Sequence, residues 1–252
     1  MNNILRESGK TLLNAVFPEN IYCICCGDTM HGYEAHGLCP VCREKMPWTF
    51  KNPFSSYIDE FAFCDVWPCV RYGFYARQIM NGLKQGGKGY IAGNVGLMMA
   101  ERMLMEEELP DFLVAVPSHR SKQLKRGYNQ AELLAKEISR ASGVDWVKGA
   151  IIKTEATASM RMADGKTRRS MLQNSFAIPE TVKEKIKGRF ICLVDDVCTT
   201  GSTADACARV LLDGGAEKVA LLCFASSSGY KKAEELDEED IISVFNNTDF
   251  ML

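Results

Sequence analysis

Apolar and polar positions alternate between two rhythms along this chain. Phe190–Val194 and Val219–Phe224 are short, nearly unbroken apolar runs, the pattern of strands covered on both faces. Phe112–Val116 is a third such run, and Trp146–Ile152 is read as a fourth strand. Ala62–Tyr75 is rich in aromatic and β-branched residues and is read as a hairpin. Between these lie segments of helical period: Ala76–Lys84, Ile91–Leu104, Asn129–Arg140 with Leu133, Leu134 and Ile138, and Ser202–Leu212. Strands alternating with helices predict βαβ units and a mainly parallel sheet, an α/β class. The first residues add a helically spaced set, Ile4, Leu5, Leu12, Leu13, Val16 and Phe17, closed by Pro18. Pro47–Tyr57 has the composition of a linker, which divides the chain into residues 1–50 and 51–252.

Composition narrows the class. The chain has 252 residues, 46% hydrophobic and 25% charged, which excludes wholesale disorder, collagen and coiled coil. No apolar run approaches the ~18 residues of a membrane span, so membrane insertion is not expected. No apolar stretch follows a basic start, which points to a cytoplasmic protein. A net charge of −2 argues against a nucleic-acid binder working by bulk electrostatics, and the acidic run Glu234–Asp240 points the same way.

Cysteine is the unusual count. There are 11, and five of them fall within Cys23–Cys42. Cys23-x-x-Cys26 and Cys39-x-x-Cys42 are separated by 12 residues. A two-residue spacer lets a tight turn aim both sulfurs at one ion, and two such turns complete a closed tetrahedral thiolate site. A structural zinc held by Cys23, Cys26, Cys39 and Cys42 follows. Cys25 is the spare, with His31 and His36 as substitute ligands. Cys64, Cys69, Cys192, Cys198, Cys207 and Cys223 read as small buried hydrophobes. A thiol redox protein is the competing reading of the cluster.

The most informative stretch runs from Phe190 to Ala225. An apolar strand meets Asp195-Asp196, then Thr199-Thr200-Gly201-Ser202-Thr203 opens a helix. Unpartnered N–H groups and the helix dipole make such a start an anion cradle, with the hydroxyls as further donors. No lysine is present, so this is not the nucleoside-triphosphatase loop. Two carboxylates at the carboxyl end of a strand can both turn toward one ligand if the strand ends before them. Acceptor-only groups beside a phosphate cradle suit the hydroxyls of a ribose 5-phosphate. Two solvated acids capping a helix are the plainer alternative.

Leu193-Val-Asp-Asp-Val-Cys-Thr-Thr-Gly-Ser-Thr203 resembles the phosphoribosyl-pyrophosphate loop of type I phosphoribosyltransferases. The rest of the chain, the acidic tail apart, resembles the ComF competence-protein family, whose members place a four-cysteine zinc-ribbon-like module before such a domain. Pro117-Ser-His119-Arg120 with Lys125-Arg-Gly-Tyr-Asn-Gln-Ala131 matches one family segment, and Gly82-Leu-Lys84-Gln-Gly-Gly another.

The resemblance implies a phosphoribosyltransferase-like α/β domain that binds phosphoribosyl pyrophosphate with Mg²⁺. Asp195 and Asp196 would take the ribose hydroxyls and Thr199, Thr200, Gly201, Ser202 and Thr203 the 5-phosphate. Lys84, Arg120, Lys122, Lys125 and Arg126 would face pyrophosphate, where charge builds as it leaves. Arg161, Lys166, Arg168 and Arg169 would form a hood over the site. The family's Gln and Asn positions there are held by Ser159 or Met160 and by Met171. Natural transformation is the implied process, with a DNA-uptake helicase or recombination partner and single-stranded DNA as implied partners. Two functions remain in view: a transferase with an unidentified acceptor, and a non-catalytic zinc-containing adaptor or phosphoribosyl-pyrophosphate sensor.

Overall fold

A computed structural model of the chain describes residues 21–30, 34–84, 89–118, 127–153 and 175–227. In chain order the elements are α1 (Pro40–Glu44), β1 (Asp65–Arg71), α2 (Phe74–Lys84), α3 (Gly89–Met103), β2 (Phe112–Ala115) and α4 (Gln130–Ser142). There follow β3 (Asp145–Trp146), β4 (Ile152–Lys153), β5 (Phe176–Ala177), α5 (Glu180–Ile186), β6 (Phe190–Cys198), α6 (Ser202–Asp213) and β7 (Lys218–Ser226).

Five strands make one sheet in the order β1–β7–β6–β2–β3, with every neighbouring pair parallel. β4 and β5 form a separate antiparallel pair. The central strands are apolar because both faces are covered. On β7, Ala220, Leu222 and Phe224 pack with α2, α3, α4 and the cysteine-bearing segment, whereas Val219, Leu221 and Cys223 pack with α5 and α6. The buried residues of α4, including Ala131, Leu134, Ala135 and Ile138, form one stripe, and the helix stops at Gly143 in the left-handed region. α3 and α4 lie close: a Cβ on Gly96 would sit 2.5 Å from that of Glu137.

Four expectations change. Ala62–Tyr75 is not a hairpin: β1 pairs in parallel with β7, and the chain turns into α2 at Phe74. Pro47–Tyr57 is not a free linker. Trp48 bridges Val70, Arg71 donates to the Pro47 carbonyl at 2.9 Å, and Thr49 donates to the Cys69 carbonyl at 3.0 Å, so this segment shields the exposed edge of β1. Trp146–Ile152 divides into the two-residue strands β3 and β4 around a turn with Gly149 at positive φ. Of the six outlying cysteines, Cys69, Cys192, Cys198, Cys207 and Cys223 are buried, but Cys64 is exposed ahead of β1.

The topology places one crevice. From β2 the chain crosses through α4 to β3 on one side, and from β6 it crosses through α6 to β7 on the other. β2 and β6 are neighbours whose crossovers run to opposite sides of the sheet, so their carboxyl ends form its topological switch point. Open α/β sheets bind ligands at such a switch point.

Candidate functional site

β6 outruns β2 at this crevice. The last ladder bond between them runs from the Val116 N–H to the Val194 carbonyl, 2.9 Å. β6 then continues through both aspartates to Cys198, paired with β7. The strand therefore does not end before the pair, and alternation sends the two side chains to opposite faces. Asp195 is in phase with Ile191 and Leu193, on the α6 face; Asp196 is in phase with Cys192 and Val194, on the α4 face. The N–H of Asp196 falls on the edge that β2 no longer covers, and Asp195 Oδ1 accepts it at 2.9 Å. Asp196 Oδ1 accepts the N–H of Val197 at 2.8 Å. Both residues are half-buried. Burial, and then the charge of Asp196, hold the Asp195 carboxyl well above the usual carboxylate range.

The loop after β6 delivers hydroxyls to the amino end of α6. Thr199, Thr200 and Thr203 are exposed and Ser202 is half-buried. Thr200 Oγ1 and Ser202 Oγ are 3.0 Å apart, and the Ser202 N–H donates to Thr200 Oγ1 at 3.4 Å. Gly201 turns the chain at φ +73°, and its carbonyl accepts the Asp205 N–H at 2.8 Å. The first N–H groups of this twelve-residue helix lack intrahelical acceptors, an arrangement that can hold an anion.

The loop after β2 is anchored at its far end. Asn129 Nδ2 donates to the Val116 carbonyl at 3.1 Å, and Asn129 Oδ1 caps α4 by accepting the Ala131 N–H at 3.2 Å. One side chain thus joins the last residue of the strand run to the first turn of the helix. Next to it, Tyr128 donates its hydroxyl to the Leu83 carbonyl. That bond brings the end of α2, with half-buried Lys84, to the loop carrying Gly127, Tyr128 and Asn129.

A second centre lies at the outer end of the α2–α3 layer. The Sγ atoms of Cys23, Cys26, Cys39 and Cys42 all lie within 4.8 Å of one another. Zn–S bonds of ~2.3 Å in a tetrahedron put sulfurs ~3.8 Å apart. Cys26 and Cys39 stand at 3.8 Å. The first pair sits on a turn closed by the Gly27 N–H on the Cys23 carbonyl, 3.0 Å, and the second on the amino end of α1. Burial pushes the Cys23 thiol up, but N–H donors from Cys39, Cys26 and Cys25 outweigh it and bring it down to about 7. These residues fit zinc, and four thiolates would leave it no open position. The spare Cys25 has Sγ 3.9 Å from the Tyr75 carbonyl, and burial raises its thiol to about 11. His36 is not in the cluster: its Nε2 lies 2.7 Å from Glu101 Oε2 on α3.

With this geometry in place, the phosphoribosyl transferase domain family matches residues 124–251, half of the chain. The chain belongs to that family. It is also 37% identical over 116 residues to the DNA utilization protein YhgH of Escherichia coli O157:H7, covering 46% of this chain and 49% of that one. Competence protein F of Haemophilus influenzae (strain ATCC 51907 / DSM 11121 / KW20 / Rd) is 34% identical over 112 residues, 44% of this chain and 48% of that one. Competence protein ComFC of Bacillus subtilis (strain 168) is 32% identical over 103 residues, 41% of this chain and 39% of that one. The chain spans about half the length of the first two relatives. These names bear out the resemblance to ComF competence proteins, and the parallel sheet and the family match bear out the α/β phosphoribosyltransferase-like fold.

Of the residues singled out by sequence, the structure groups Cys23, Cys26, Cys39 and Cys42 in one place and Asp195, Asp196 and Thr199–Thr203 at the carboxyl end of β6. Lys84 comes to the end of the β2 loop. Arg120, Lys122, Lys125, Arg126, Arg161, Lys166, Arg168, Arg169, His31 and the positions Ser159, Met160 and Met171 lie outside the described residues. Sequence reasoning missed Asn129 and Asp205 as organisers. An Asn just ahead of an apolar-periodic segment is a readable cap signal. Nothing local announces the bond from Ala62 to Asp205, 143 residues apart. Among the described residues no helix is long and apolar enough to cross a membrane.

Proposed function

We propose that the chain binds phosphoribosyl pyrophosphate with Mg²⁺ in the crevice between β2 and β6 and transfers the phosphoribosyl group to an acceptor, releasing pyrophosphate. The observation that carries this reading is the hydroxyl-bearing loop at the amino end of α6, set directly after a carboxylate pair at the sheet's switch point. In it Thr199–Thr203 hold the 5-phosphate with hydroxyls and backbone N–H groups. Asp195 and Asp196 leave β6 on opposite faces, so they accept hydrogen bonds from the ribose hydroxyls across the edge of β6 that β2 leaves uncovered, and not side by side beyond a strand end. Because Asp195 is desolvated and sits beside a like charge, its ionised form is short of hydrogen-bond donors, which ribose hydroxyls supply.

Lys84, Arg120, Lys125 and Arg126 are the cations for pyrophosphate, and Arg168 and Arg169 add further positive charge for it. Mg²⁺ carried on the substrate oxygens would offset the charge of the leaving pyrophosphate. The nearby carboxylates stabilise positive charge at the anomeric carbon. Zinc on Cys23, Cys26, Cys39 and Cys42 would hold the cysteine-bearing segment in shape where Cys23, Leu38, Cys42 and Met46 share a core with α2 and α3.

The names of the similar proteins, DNA utilization and competence, support a setting in DNA uptake, which we place in the cytoplasm. A DNA-uptake helicase or recombination factor and single-stranded DNA are the partners that setting implies. The second reading is a non-catalytic adaptor or sensor that binds the same ligand without turnover. Ser159 or Met160 and Met171, where the family has Gln and Asn, favour it.

Pyrophosphate release separates the two. The full-length protein is incubated with phosphoribosyl pyrophosphate, Mg²⁺ and a panel of nitrogen nucleophiles. Acceptor-dependent release supports the transferase. Ligand binding without release supports the sensor, and absence of both overturns the site.

A further inference from the structure

We propose that a slab of phenylalanines from residues 54–63, locked to α6 through Asp205, is the positioning element of the phosphate loop. This rests on the phosphosugar reading of that loop and names what shapes it. Gly201 adopts φ +73°, a conformation that side-chain-bearing L residues rarely adopt. The place its side chain would occupy is already filled. A Cβ there would lie 3.0 Å from Phe61 Cε1, 3.3 Å from Phe63 Cζ and 3.4 Å from Phe54 Cε1. The loop is thus moulded against three rings as well as turned by its own dihedrals.

The rings form a stiff surface. Phe61 and Phe63 stack with centroids 4.7 Å apart and planes 16° apart. Phe54 meets both edge-on, at 5.0 and 6.0 Å. Phe54 and Phe63 are 1% exposed, so the slab cannot shift without opening the core beneath α6.

A polar tie fixes the same two pieces. Ala62, between the stacked rings, donates its N–H to Asp205 Oδ1 at 2.8 Å. Asp205 in turn donates its own N–H to the Gly201 carbonyl at 2.8 Å. A carboxylate only 2% exposed is costly unless satisfied, and Arg209 completes its partners through Nε at 3.1 Å and Nη2 at 3.2 Å. One buried residue therefore connects the slab, through its side chain, to the carbonyl that starts α6, through its backbone N–H. A cradle held this way is formed before its anion arrives, and binding loses less ordering entropy. The slab is not a substrate-touching group; it acts through Gly201 and the helix start.

The test uses the full chain with Phe61→Leu, Asp205→Ala, Asp205→Asn, Gly201→Ala and the Gly201→Ala/Phe61→Leu pair. Amide hydrogen exchange over 199–205, the melting midpoint, and affinity for Mg²⁺–phosphoribosyl pyrophosphate and for pyrophosphate alone are read together. In Phe61→Leu and Asp205→Ala, exchange at 200–204 should rise while the second half of α6 stays protected. Phosphoribosyl pyrophosphate should weaken about tenfold, with pyrophosphate alone unchanged. Asp205→Asn keeps an acceptor for Ala62 and should hold the loop as the native protein does. Gly201→Ala should weaken binding further, and the added Phe61→Leu should recover part of it. Native exchange and native affinity in Phe61→Leu and Asp205→Ala, or no recovery in the pair, would overturn the proposal. If the native protein binds no phosphoribosyl pyrophosphate, the function proposed above fails, and the exchange comparison alone decides whether the slab positions the loop.

Discussion

Replacing Asn129 with alanine removes two hydrogen bonds at one buried point, and their loss can be reckoned separately. The residue is 6% exposed. Its Oδ1 caps α4 through the Ala131 N–H at 3.2 Å, and its Nδ2 serves the Val116 carbonyl at 3.1 Å. Loss of an Asn cap costs ~1 kcal/mol. A buried carbonyl deprived of its donor costs a further ~1–3 kcal/mol. Asn129→Ala should therefore destabilise by ~2–4 kcal/mol, which at ~2–4 °C per kcal/mol lowers the midpoint by roughly 4–16 °C. Asn129→Ser keeps a cap and loses only the Val116 bond, so it should fall between alanine and the native protein. Urea denaturation followed by circular dichroism gives both values. A cost for Asn129→Ala within about 0.5 kcal/mol of zero, the range of an ordinary surface change, would refute the reasoning. So would a serine variant no better than alanine.

Three further outcomes are expected. Cys42→Ser should release one zinc per chain and lower a single melting transition of the whole protein. Cys23, Leu38, Cys42 and Met46 share one core with α2 and α3, so a separate early transition confined to the cysteine segment would contradict this. Asp195→Asn should stabilise the ligand-free protein at pH 7. Folding raises the carboxyl above its unfolded value, so between the two the folded state binds the extra proton and native stability falls as pH rises. The variant should show a flatter stability profile upward from pH 4, and a parallel decline in both proteins would count against it. Tyr128→Phe should cost ~1 kcal/mol through the Leu83 carbonyl. It should also weaken pyrophosphate more than ribose 5-phosphate, because it frees the end of α2 that carries Lys84; equal weakening would detach Lys84 from the pyrophosphate end.

Much of this fold is legible in single segments. Unbroken apolar runs at Phe190–Val194 and Val219–Phe224 are met by β6 and β7, strands covered on both faces, and the helical period of Asn129–Arg140 is met by α4. What misled was aromatic richness without a partner in view. Ala62–Tyr75 looks like a hairpin because β propensity reports side-chain fit and not which strand lies alongside. Its true neighbour, β7, is some 150 residues away. Pro47–Tyr57 looks like a linker for the same reason, since its role is to cover an edge that exists only once the sheet is built. The carboxylate pair and its loop are legible by chemistry because their order along the chain is their order in space. The strand's extension past them is not, since it depends on β6 outrunning β2. Asp205 stays hidden because its i,i+4 partner Arg209 makes it look like a routine helix ion pair.

The central claim is a phosphosugar site at the carboxyl end of β6, and calorimetric titration tests it most directly. Phosphoribosyl pyrophosphate with Mg²⁺ is titrated into the native protein and into the Asp195→Asn/Asp196→Asn variant, with zinc content matched and a melting midpoint no lower than the native one. One binding event per chain in the native protein, lost in the variant, is the expected result. No heat of binding in the native protein, or equal affinity in both, would contradict it.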